Sequence, residues 1–142
     1  MKDEQVLRPG SQGEMTVRFD AGCVTVTDEE DAWLVCFADQ AVSPVRYFLL
    51  QRAHEFDAQD IQFDMATYHV ERDDQSQSCY GGIAVFDLYR DRVVVRLNVE
   101  GSQSLETLGL DVQFALDDTR FECLRQQLER IFAGTSCLVI HG

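Results

Sequence analysis

The 142 residues carry 25 Asp and Glu against 12 Lys and Arg, a formal net charge of −13 with a pI near 4.4. The length suits one domain, and a chain of this size buries roughly 70% of the surface its unfolded form exposes. The charge excludes two partners: phosphate backbones and anionic membrane surfaces both need Lys and Arg to neutralise them. It leaves a cationic partner, a cation, or plain solubility.

Residues 1–14 hold Pro9, Gly10, Gly13 and several charges without period, and read as a flexible tail before a single domain over 15–142. The start is charged and has no apolar stretch, so the chain reads as cytoplasmic. Met15, Val17 and Phe19 alternate with polar residues as a half-buried strand does. Val24 and Val26 begin a second strand after a turn at Asp20-Ala21-Gly22, and Asp28-Glu29-Glu30-Asp31 is a solvated acidic loop. Residues 33–38 and 47–50 are apolar on both faces and read as central strands. Residues 54–66 form a long polar loop with room for one helical turn, and Tyr68, Val70 and Arg72 mark another strand.

Asp73 to Gly82 reads as a polar loop closing on a Gly-Gly pair. Residues 83–89 and 92–99 flank Arg90-Asp91 as a hairpin, with Val93, Val95, Leu97 and Val99 on its inner face. A turn at Ser104 to Leu108 leads to a strand marked by Val112, Phe114 and Leu116. The clearest helix follows. Thr119 and Glu122 have capping-box spacing, Phe121, Leu124, Leu128, Ile131 and Phe132 fall on one stripe, and Gly134 is a natural stop. Residues 137–140 either add a short strand or pack down. The expected fold is therefore α+β: a largely antiparallel sheet of about six to eight strands, covered by one C-terminal amphipathic helix.

Chemistry is sparse. Five cysteines, an odd number with no CxxC pair, suggest neither disulfides nor a zinc ribbon. Cys36 and Cys123 fall in apolar patterns and read as core, whereas Cys79 lies in the polar loop and reads as the exposed one. His69 and Glu71 share one side of a strand, but no metal-ligand pattern accompanies them. With Cys79 they are the material for a small metal-dependent or cysteine-based enzyme, and no cofactor is called for. The acids are more distinctive. Residues 54–79 hold Glu55, Asp57, Asp60, Asp64, Glu71, Asp73 and Asp74 against Arg72, with Tyr68 and Tyr80 interleaved. Solvated loops and a face for a basic protein explain that segment equally well.

Tyr47-Phe-Leu-Leu-Gln-Arg52, then Phe56-Asp-Ala-Gln-Asp-Ile61, then Thr67 to Ile83 with its Tyr-x-x-Glu strand, Gln-containing loop and Tyr-Gly-Gly-Ile, resemble the immunity protein 10 family of bacterial polymorphic toxin systems. The similarity covers residues 15–133. It implies a protein that binds and neutralises a cognate toxin by occlusion, without catalysis. Toxins of such systems include nucleases with basic clefts, which an acidic face would suit. The matching positions are Gln51, Tyr68, Glu71, Gln75, Tyr80, Gly81 and Gly82. The expected partner face joins Asp57, Asp60, Asp64, Tyr68, Glu71, Asp73, Asp74, Gln75 and Tyr80, with Gln51, Gly81 and Gly82 supporting the fold. A general interaction domain is the remaining reading, and an exposed edge strand leaves monomer and homodimer both open.

Overall fold

Adjacent strands with alternating or wholly apolar patterns must find partners, and here they find them in two places. A computed structural model describes residues 16–142. The expected tail, 1–14, and Met15 lie outside the described residues. In chain order the elements are β1 (Thr16–Asp20), β2 (Cys23–Asp28), β3 (Ala32–Ala38), β4 (Tyr47–Ala53), α1 (Ala58–Gln62), β5 (His69–Arg72), β6 (Asp74–Tyr80), β7 (Ile83–Leu88), β8 (Arg92–Leu97), α2 (Val99–Leu105), β9 (Gly109–Gln113), α3 (Asp118–Ile131) and β10 (Leu138–Ile140). One five-stranded sheet runs β10-β7-β8-β9-β1 and the other β2-β3-β4-β5-β6.

The α+β class and the largely antiparallel pairing stand: among the described strands only β9 with β1 and β10 with β7 run parallel. The single sheet does not, because the ten described strands divide between two sheets. Part of the difference is β6. Its sequence, Asp-Gln-Ser-Gln-Ser-Cys-Tyr, has no apolar alternation, and it forms at an edge where one neighbour supplies the ladder and one flank stays wet. The hairpin at Arg90-Asp91 forms as expected, closed by the Tyr89 N–H to Arg92 O bond at 2.8 Å. Val93, Val95 and Leu97 are buried within it, but Val99 opens α2 and is exposed.

Both sheets and α3 share one apolar core. Phe37, Phe48, Leu50 and Val70 from the second sheet, Phe86, Leu88 and Val95 from the first, and Leu124, Leu128 and Ile131 from the helix are all at most 1% exposed. Burial of each such side chain is worth about 1.5–3 kcal/mol against leaving it in water. The expected stripe of α3 thus packs inward, except that Phe121 is only half-buried and lies under the Arg90 guanidinium, 4.7 Å from the ring centroid. The cap is Asp117 rather than Thr119. Its carboxylate accepts the Arg120 N–H at 2.8 Å, two residues earlier than the capping-box spacing suggested.

Polar side chains dock the helix on the second sheet. Gln127 is buried and donates to Thr27 O at 2.7 Å and Leu34 O at 3.3 Å, bridging β2 and β3. The Arg52 guanidinium on β4 donates to Ile131 O and Ala133 O, where the helix dipole favours a cation. The other face of this sheet is therefore left open. No described helix is long and apolar enough to cross a membrane.

Candidate functional site

Side chains alternate across a strand, so the buried Phe48, Leu50 and Val70 fix which neighbours face away from the core. Two cross-strand rows result on the outer face of the second sheet. One runs Thr25, Cys36, Leu49, Glu71, Ser78, and the other Thr27, Leu34, Gln51, His69, Tyr80. Most of these residues are half-buried by one another, with Thr25 and Tyr80 exposed, and no described element covers them. Local contacts hold the face: Gln51 Nε2 lies 3.4 Å from His69 Nδ1, the His69 and Tyr80 rings meet edge-on at 4.7 Å, and the Tyr47 hydroxyl donates to Glu71. Burial lowers the His69 pKa, against an opposing pull from Glu71. Burial, with the Glu71 hydrogen bond second, raises that of Tyr47.

The acids do not form the one continuous face that their spacing in sequence implied. β5 separates them. Asp57, Asp60 and Asp64 lie before its first residue and Asp73 and Asp74 after its last, so the groups sit at opposite ends of a strand on the order of 10 Å long. That is about one Debye length, beyond which exposed charges act separately.

Instead, one group gains new neighbours. The loop between β2 and β3 and the connection from β4 to β5 emerge at the same end of the sheet, where Ala32 pairs with Ala53. His54 ties them, donating its N–H to Asp31 O at 2.9 Å and placing Nε2 3.0 Å from Asp28 Oδ1. Asp28, Glu29, Glu30 and Asp31 thereby come to the same end as Glu55, Asp57, Asp60 and Asp64; of the described cations near this end, Arg52 is engaged by the end of α3 and Arg130 by the Gln127 side chain. The sequence of 28–31 shows only a solvated acidic loop; the register between β3 and β4 reveals its neighbours.

Within that end, Asp57 and Asp60 cap α1 reciprocally: the Asp60 N–H donates to Asp57 Oδ1 at 2.8 Å and the Asp57 N–H to Asp60 Oδ2 at 3.1 Å. α1 buries none of its residues, and Ile61 and Phe63 beside the acids are 64% and 57% exposed. Between this connection and the outer face lies a cleft of about 270 Å³, lined by Asp31, Gln51, Phe56, Asp60, His69 and Tyr80 among others.

The other expected contacts have different surroundings. Tyr68, expected on the partner face, is 4% exposed; its hydroxyl accepts the Ile83 N–H at 3.1 Å, joining the two sheets, and its ring meets Phe132. Asp73 is a staple: its carboxylate accepts from Arg46 at 2.8 Å, Arg72 at 2.6 Å and the Tyr47 N–H at 2.9 Å. Asp74 and Gln75 begin β6 beyond it and are exposed, and the Ser76 N–H and hydroxyl hold the Asp74 carboxyl below its usual range. Gly81 and Gly82 both have positive φ, and Gly82 lies against Gly101 so closely that a Cβ on Gly101 would come within 2.1 Å of Gly82 O.

The trio His69, Glu71 and Cys79 is not assembled. Cys79 pairs with the buried Val70 and packs on the core, on the opposite side of the sheet from His69 and Glu71. Burial is also the main cause that raises its pKa, with Glu100 adding to it. The exposed thiol is Cys123, whereas Cys36 is half-buried on the outer face; the apolar patterns around them misled because Cys123 falls off the inward stripe of α3. No group of three or more His, Cys, Asp or Glu that could hold a metal occurs among the described residues.

Residues 20–122 match the family described as Immunity protein 10. The chain belongs to the immunity protein 10 family. The match is narrower than the expected 15–133, yet it contains the whole second sheet, both acidic loops and the cleft. It ends inside α3 and leaves out β10. A comparison with curated proteins finds no match. Membership makes this an immunity protein, whose partner is a protein toxin, and points away from an enzyme.

Proposed function

We propose that this immunity protein acts in the cytoplasm of a bacterium carrying a polymorphic toxin system, and neutralises a basic cognate toxin by stoichiometric occlusion. The observation that carries the reading is the meeting of two acidic loops, 28–31 and 55–64, at one end of the sheet, the second of which carries the exposed Ile61 and Phe63. Interface cores favour aromatic and apolar anchors, and a rim of one charge steers an oppositely charged partner, with association rates reaching about 10⁸–10⁹ M⁻¹s⁻¹ at low salt. Asp57, Asp60, Asp64 and Tyr80 are then contact residues. Glu71 and Asp73 support the sheet, Tyr68 supports the core, and Asp74 and Gln75 lie at the far end. An acidic surface of this kind blocks a basic cleft by occupying it, so no bond in the toxin needs to change.

Co-expression with the toxin encoded beside the gene tests the role, and rescue of growth is expected. Charge reversal tests the face. Asp31→Lys with Glu55→Lys should weaken toxin binding and flatten its salt dependence, while Asp74→Asn at the far end should change neither. Failure to rescue, or an unchanged salt slope in the double variant, would overturn the reading.

A further inference from the structure

The outer face of the second sheet has no described covering, although its centre carries Leu34, Leu49 and Cys36. A sheet usually buries one face and solvates the other with polar side chains. Here the solvated face is partly apolar and runs at one end into the acidic loops and their cleft. We infer that this face is the floor of the toxin interface, and that its occupant is a toxin surface with an apolar patch flanked on one side by Arg and Lys. The inference rests on the toxin-binding reading.

Area supports a floor larger than the acidic end alone. Five strands about 4.8 Å apart and seven residues at about 3.3 Å each give a face of about 20 by 23 Å, roughly 450 Å². A stable interface buries about 800 Å² per partner, so the face alone falls short of one and would need the adjoining acidic end as well. Charge selects the occupant. A second copy of the chain would bring another charge of −13, and neither end of the face offers it a net positive surface. At the far end Arg46 and Arg72 are both taken up by Asp73. At the near end eight carboxylates outnumber the described cations there, Arg52 and Arg130. A basic protein meets no such opposition.

The test uses the full chain and the toxin encoded beside it. Leu49→Lys places a charge at the centre of the face. Tyr80→Ala trims its exposed edge with little demand on folding, and Val139→Lys on β10 is the control in the other sheet. Urea melts establish that each variant folds, and calorimetric titration measures affinity. Both face variants should lose at least about tenfold in affinity, with the control within about twofold of wild type. Wild-type binding with Leu49→Lys and Tyr80→Ala both within about twofold overturns the floor and leaves the toxin-binding reading standing. A wild-type protein that fails to bind overturns both. A dimer of the protein alone that Leu49→Lys dissociates gives the face to a second copy and overturns the inference.

Discussion

Replacing Gly82 with alanine sets two costs against each other in a way the structure lets one separate. Gly82 has φ +94°, and a Cβ there would lie 2.7 Å from Cys79 Sγ and 3.1 Å from the Gly101 Cα. The left-handed backbone costs an alanine about 1–2 kcal/mol. Forcing a methyl into a packed contact adds about 1–3 kcal/mol, because the Gly101 side of the gap is backbone that cannot rotate away. The expected loss is about 2–5 kcal/mol, a large share of the roughly 5–15 kcal/mol that holds a domain together. Gly134 supplies the reference. Its φ is +83°, but a Cβ there would meet nothing within 4 Å, so Gly134→Ala bears the backbone cost alone. With a urea slope near 2 kcal/mol/M, Gly82→Ala should lower the unfolding midpoint by about 1–2.5 M and Gly134→Ala by no more than about 1 M. Adding Cys79→Ala to Gly82→Ala should return part of the difference, since it removes the nearer obstacle. If the two glycine variants unfold within about 0.5 kcal/mol of each other, the close approach of Gly82 to Gly101 is not what restricts this position.

Other substitutions probe the core and the thiols. Tyr68→Phe removes the acceptor of the buried Ile83 N–H and should cost about 1–3 kcal/mol in thermal or urea unfolding, while leaving toxin affinity unchanged because the ring is buried. A loss of affinity without a loss of stability would return Tyr68 to the contact surface. In alkylation near pH 8, Cys123 should react first, being exposed, with Cys137 protected by burial. Cys36 should lag as well: burial, then Cys23 and Glu71, push its thiol up to about 11, and only the thiolate attacks. Mass mapping of the first modified cysteine checks the order, and early labelling of Cys36 would contradict the outer-face packing.

Much of the architecture was legible because it is written in local periodicity. The hairpin at 90–91 and the stripe Leu124, Leu128, Ile131 need only their own neighbours in sequence to declare themselves. β6 was missed because an edge strand with a polar sequence owes its form to the ladder offered by β5, which no pattern in residues 74–80 records. Val99 was assigned to a strand because alternation does not say where the chain turns into a helix, a point set by the Asn98 cap. The family motifs were legible as motifs, but not what they do: Tyr68 became a bridge between sheets and Gly82 a point of backbone contact.

The sequence by itself determined that this chain is acidic, α+β, largely antiparallel and similar to immunity proteins, since charge, period and motif are properties of a string. Only the tertiary structure decided which acids act together. Register between β3 and β4 brings the 28–31 loop beside Asp57, Asp60 and Asp64, and the length of β5 carries Asp73 and Asp74 away. Charges interact through distance in space, and strand pairing sets that distance without regard to separation along the chain.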